Sequence, residues 1–109
     1  MAYDEALAER VRGKLSQRKG IVEKKMFGGL AFMVQGNMAC GVVEDDLMVR
    51  VGPDQYDDLL AEAHARPMDF TGKPMKGMIY VGPKGHRDDR SLALWVQRGF
   101  DFASSLPAK

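Results

Sequence analysis

Four runs decide the fold: Ile21-Val22-Glu23-Lys24-Lys25-Met26, Leu30-Ala31-Phe32-Met33-Val34, Met38-Ala39-Cys40-Gly41-Val42-Val43 and Leu47-Met48-Val49-Arg50-Val51. Apolar residues recur through them at about every second position, the period of a strand that buries one face. The breaks are short and have turn chemistry: Gly28-Gly29, Gly36-Asn37 and Glu44-Asp45-Asp46. None is long enough for the crossover that parallel neighbours need, so the strands are expected to pair antiparallel as a meander.

Outside this block the period becomes helical. Leu7, Val11 and Leu15 recur four residues apart after Asp4, a suitable N-cap, and predict a first amphipathic helix that ends before Gly20, with Arg18 and Lys19 favouring its C-terminal dipole. Beyond the block, Gly52-Pro53-Asp54 stops the sheet and opens a second helix with an apolar stripe of Tyr56, Leu59, Leu60 and Ala63. Its acids Asp54, Asp57 and Asp58 lie in the first turns, where they favour the dipole. Two short strands are expected at Met68 to Phe70 and Met78 to Val81, around the turn-rich Thr71-Gly72-Lys73-Pro74. A Gly82-Pro83-Lys84-Gly85 loop then leads to Asp88 or Asp89 as N-cap of a last helix carrying Leu92, Trp95, Val96, Gly99, Phe102 and Ala103. The predicted class is α+β in two layers: an antiparallel sheet with helices on one face, in the order α, three to four β, α, two β, α.

The 109 residues suit one domain spanning 1–109, with 45% hydrophobic and 28% charged residues. That size hides about 65% of the unfolded chain's surface, which supports a core without metal or disulfide staples. Cys40 is the single cysteine and has no internal partner, and no Cys or His stands at zinc-ligand spacing, so a reducing, cytoplasmic setting is expected. The amino terminus has acids and no apolar run, and no segment reaches the ~20 apolar residues of a membrane span, so neither secretion nor membrane insertion is expected. Net charge is +1, low for a nucleic-acid binder. The charge is polarised along the chain all the same: Arg10 to Lys25 is basic, and Glu44 to Glu62 is acidic.

Glu23 to Met33, Gly36 to Val43 and Asp46 to Val51, in this spacing, resemble the N-terminal domain of the TfoX/Sxy family, as do Lys76-Gly77-Met78-Ile79-Tyr80-Val81 and the last helix around Trp95. The resemblance covers nearly the whole chain. It implies an α+β fold with helices over an antiparallel sheet, and a role in regulating natural competence beside the cyclic-AMP receptor protein as a transcriptional co-activator. Full-length members carry a second, C-terminal domain; this sequence stops at Lys109, so the stand-alone N-terminal domain is expected. The resemblance carries over no catalytic or ligand residues.

Two basic segments stand out. Lys24 and Lys25 precede Gly28-Gly29, but a phosphate loop has its lysine after the glycines and before a helix, so a tight turn is the simpler role. Lys84, His86, Arg87 and Arg90, with Lys73 and Lys76 upstream, form a basic loop before a helix, the favoured candidate for holding a carboxylate, a phosphate or a partner. Neither His64 nor His86 lies in a catalytic motif, His64 reads as a dipole-compatible residue near the end of the second helix, and Cys40 reads as a buried hydrophobe. Among the eight methionines, alternation puts Met33 and Met48 on the sheet face away from the helices, where they are expected to meet a partner or a second copy.

With no catalytic constellation, no cofactor and no metal are expected. The first reading is a regulatory protein-interaction module whose partner is a protein such as a transcription factor, with homodimerisation through the open face or an edge strand. The alternatives are direct nucleic-acid binding through Arg10 to Lys25 and Lys73 to Arg90, which would be steeply salt-dependent, or a small anion-binding protein or enzyme centred on Lys84 to Arg90. A methyltransferase is set aside, because the chain lacks a glycine-rich strand-to-helix loop.

Overall fold

A computed structural model describes residues 3–26, 28–67 and 77–107. Its elements run α1 (Glu5–Leu15), β1 (Ile21–Met26), β2 (Gly29–Val34), β3 (Asn37–Val43), β4 (Asp46–Arg50), α2 (Pro53–Leu60), β5 (Ala65–Pro67), β6 (Met78–Val81), α3 (Pro83–His86) and α4 (Asp89–Ser104). The strands form one antiparallel sheet in the order β1-β2-β3-β4-β6-β5. The class, the meander and the helical layer are as the sequence predicts.

The alternation sets the layers. Leu30 and Phe32 of β2, Cys40 and Val42 of β3, Leu47 and Val49 of β4, and Ile79 and Val81 of β6 share one cluster with the buried residues of α1, α2 and α4. The alternate residues Ala31, Met38, Met48 and Met78 form a separate cluster on the other face, with Met33, Val43 and Tyr80 against it. A bulge between Phe32 and Met33 turns Ala39 toward α4. Gly99 of α4 sits so close there that a Cβ would fall 2.3 Å from the Ala39 carbonyl oxygen, so only glycine lets helix and strand approach this far.

Several boundaries differ from expectation. α1 stops at Leu15, so Arg18 and Lys19 lie beyond the helix they were expected to stabilise; Arg18 stacks over the Phe100 ring at 4.7 Å instead. The β2–β3 turn is Gln35-Gly36, both with positive φ (51° and 87°), which matches the right-handed twist of a two-residue hairpin. Asn37 therefore begins β3 and is buried, with its side-chain amide donating to the Pro107 carbonyl at 2.9 Å. α2 ends at Leu60, which leaves Ala63 exposed and His64 past the helix at φ 70°, leading into β5. The strand before β6 is thus Ala65–Pro67, and the expected strand at 68–70 and turn at 71–74 lie outside the described residues. The Pro83 to His86 segment, expected as a loop, is a single helical turn with Pro83 in its first position.

Candidate partner-binding surfaces

The sheet order divides the predicted basic residues into two groups. Lys24 and Lys25 are exposed on β1, one edge strand of the described sheet. Lys84, Arg87 and Arg90 are exposed on the α3–α4 corner, which packs on β4 and β6. β4 is three strand spacings from β1, about 14 Å, so the groups are separate surfaces. Lys73 and Lys76 lie outside the described residues.

At the corner, the groups around the three cations are held within the protein, while the Lys84, Arg87 and Arg90 side chains, like those of Lys24 and Lys25, make no ion pair among the described residues. Asp88 caps α4, its carboxylate accepting the Ser91 N–H at 3.0 Å. Bonding to Ser91, through side chain and backbone, holds the Asp88 carboxyl below the usual range. The end of α4 thus already carries its own anion. Asp89 pairs with Lys14, and Arg10 donates to the Arg87 carbonyl at 3.0 Å, which ties α1 to the corner. His86 is buried: its Nε2–H donates to the Asp45 carbonyl at 2.9 Å, while buried Nδ1 has no hydrogen-bond partner among the described residues. The ring therefore packs α3 against the β3–β4 turn and does not join Lys84, Arg87 and Arg90 on the surface. His64 and Gly85 also meet here, since a Cβ on Gly85 would fall 2.9 Å from that of His64.

The β1 edge is arranged differently. Arg12 of α1 grips Glu23 through two bonds, Nε to Oε2 and Nη2 to Oε1 at 2.7 Å, which lowers the Glu23 pKa and raises that of Arg12. Lys24 and Lys25 make no ion pair among the described residues. Val22 is 61% exposed, and among the described residues Leu94 is the other large hydrophobic residue that stands out in solvent. At the far end of the sheet, by contrast, Arg66 pairs with Asp46 and lies over the Tyr80 ring at 5.1 Å.

Other candidates resolve simply. Cys40 is fully buried, and burial pushes its thiol up to about 12, so it is no nucleophile. Met48, expected to meet a partner, is fully buried, and Met33 is half-buried. Among the described residues no three His, Cys, Asp or Glu side chains stand close enough to hold a metal ion, and no helix is long and apolar enough to cross a membrane. No sequence feature signals the open cleft of about 290 Å³ between α2 and α4, lined by Gly52, Asp54, Gln55, Asp101, Phe102 and Ser105. It forms because Phe102 packs on Gly52, a contact made by residues 50 apart in sequence.

The model of the TfoX N-terminal domain family matches residues 14–103. No curated protein and no solved structure matches the chain.

Proposed function

The chain belongs to the TfoX N-terminal domain family, and we propose on that basis that it is a cytoplasmic regulatory module that acts by binding another protein and catalyses no reaction. The match over residues 14–103 carries this reading, because that family is associated with competence and its regulation. The chemistry of the surface supports it. The basic corner carries its own acids, Cys40 is sealed in the core, and His86 is occupied in packing. Exposed, uncommitted lysines with an exposed valine suit recognition better than bond-making. A transcription factor is the partner class that the family's association favours.

Affinity capture of the tagged chain from lysate of its source tests this, with nuclease treatment and a salt series as separate arms. A discrete protein that survives both is expected. Recovery of nucleic acid alone, lost steeply as salt rises, would replace this reading with direct nucleic-acid binding.

A further inference from the structure

The β1 edge has a defined hydrogen-bonding pattern. The Gln35 N–H bonds the Gly20 carbonyl at 3.2 Å, and this pair stands in register with Ile21↔Val34 and Val22↔Met33. Bonded and non-bonded pairs alternate in an antiparallel ladder, so Val22 and Lys24 exchange their bonds with β2. Ile21, Glu23 and Lys25 then turn their N–H and C=O groups outward, where no described strand meets them. The side chains follow the opposite sequence. Val22 and Lys24 stand on the helix-free face, where Val22 pairs with Met33 and so extends the apolar Met33–Met38–Met48 face to the rim. Glu23 and Lys25 stand on the helical face, with Glu23 held by Arg12.

We propose that β1 receives an extended acidic peptide segment as a seventh antiparallel strand, in which two successive acids, any residue and an apolar residue lie opposite Lys25, Lys24, Glu23 and Val22. This rests on the protein-binding reading above and names the partner's chemistry. Main-chain bonds to Ile21, Glu23 and Lys25 supply the attachment, and the side chains select the occupant. Lysines on an edge repel basic or purely apolar strands, and here two of them lack ion-pair partners among the described residues, so an acidic strand is the one they admit. A second copy of β1 fits poorly. A two-fold axis normal to the sheet keeps each face on its own side, so the long registers centre on one residue: Glu23 would oppose Glu23, or Lys24 would oppose Lys24 with Lys25 facing a Glu23 that Arg12 already holds.

The test titrates the full chain, labelled with ¹⁵N, with a fluorescent peptide containing Glu-Glu-Ser-Val between serines, and reads affinity, amide shifts and hydrogen exchange. Saturable binding is expected, with the Ile21, Glu23 and Lys25 amides newly protected. Lys25→Pro removes one outward N–H and no bond to β2, so it is expected to keep the fold and weaken the peptide by about tenfold or more. The double change K24E/K25E is expected to reverse the preference, favouring a peptide with Lys-Lys in place of Glu-Glu. Full binding by the folded Lys25→Pro variant, or shifts centred on Lys84, Arg87 and Arg90, would overturn the assignment. So would displacement of the peptide from β1 by single-stranded DNA with a steep salt dependence, or protection of β1 by dimerisation without peptide. If the protein captured from lysate binds Lys25→Pro normally, the edge assignment fails and the regulatory reading stands; if no protein is captured while the peptide binds as described, the reverse holds.

Discussion

The α3–α4 corner and the β1 edge each carry exposed cations without ion pairs among the described residues, yet the polar groups beside those cations differ in availability. At the corner, Lys84, Arg87 and Arg90 surround a capped helix end, a buried imidazole and a carbonyl already bonded to Arg10. On β1, Lys24 and Lys25 stand beside outward backbone groups and near an exposed valine, and among the described charged side chains of the strand only Glu23 is paired from within. Equal charge therefore does not make equal sites. What separates them is whether neighbouring polar groups are already satisfied inside the chain.

That contrast can be broken first at the corner, where substitutions should cost stability. Leu92→Ala removes a fully buried α4 side chain and is expected to destabilise by about 3 kcal/mol, read as a lower midpoint in denaturant titration with unchanged slope. His86→Ala leaves the Asp45 carbonyl without its donor and opens a void beneath α3. It should cost about 2 kcal/mol and speed hydrogen exchange in the β3–β4 turn, and an unchanged midpoint would show that the ring does not anchor the corner. Asp88→Ala should lower the thermal midpoint at neutral pH. The Asp88 carboxyl is held below its ordinary value, so its contribution is present above about pH 4 and lost as pH falls through the depressed value. Wild type and variant should therefore converge in acid. The smallest stability effect belongs to β1: Lys24→Ala should shift stability by less than about 0.5 kcal/mol while weakening the acidic peptide. A large loss of stability there would mean that the edge is spoken for within the fold.

Much of this architecture was legible because its causes are local. Alternation through Leu30, Phe32, Cys40, Val42, Leu47 and Val49 marked the strands and the buried face, and the Asp4 and Asp88 caps marked two helix starts. The misreadings are places where local preference was overruled. Positive φ at Gln35 moves the turn one residue upstream of the Gly36-Asn37 pair. Sheet pairing with Ile79 to Val81 captured Ala65 to Pro67 as a strand despite the proline, which an edge position tolerates. The basic segments were equally visible in the sequence, but their separation by the sheet order was not. Nor could the sequence show that His86 turns inward, since its partner, Asp45, is 41 residues away.

The most direct test follows the backbone amides of the ¹⁵N-labelled chain as the protein captured from lysate is added. This account predicts shifts and slowed exchange at Ile21, Glu23 and Lys25, with Lys84, Arg87 and Arg90 little changed. Changes concentrated on Lys84, Arg87 and Arg90, with β1 exchanging as in the free chain, would contradict it.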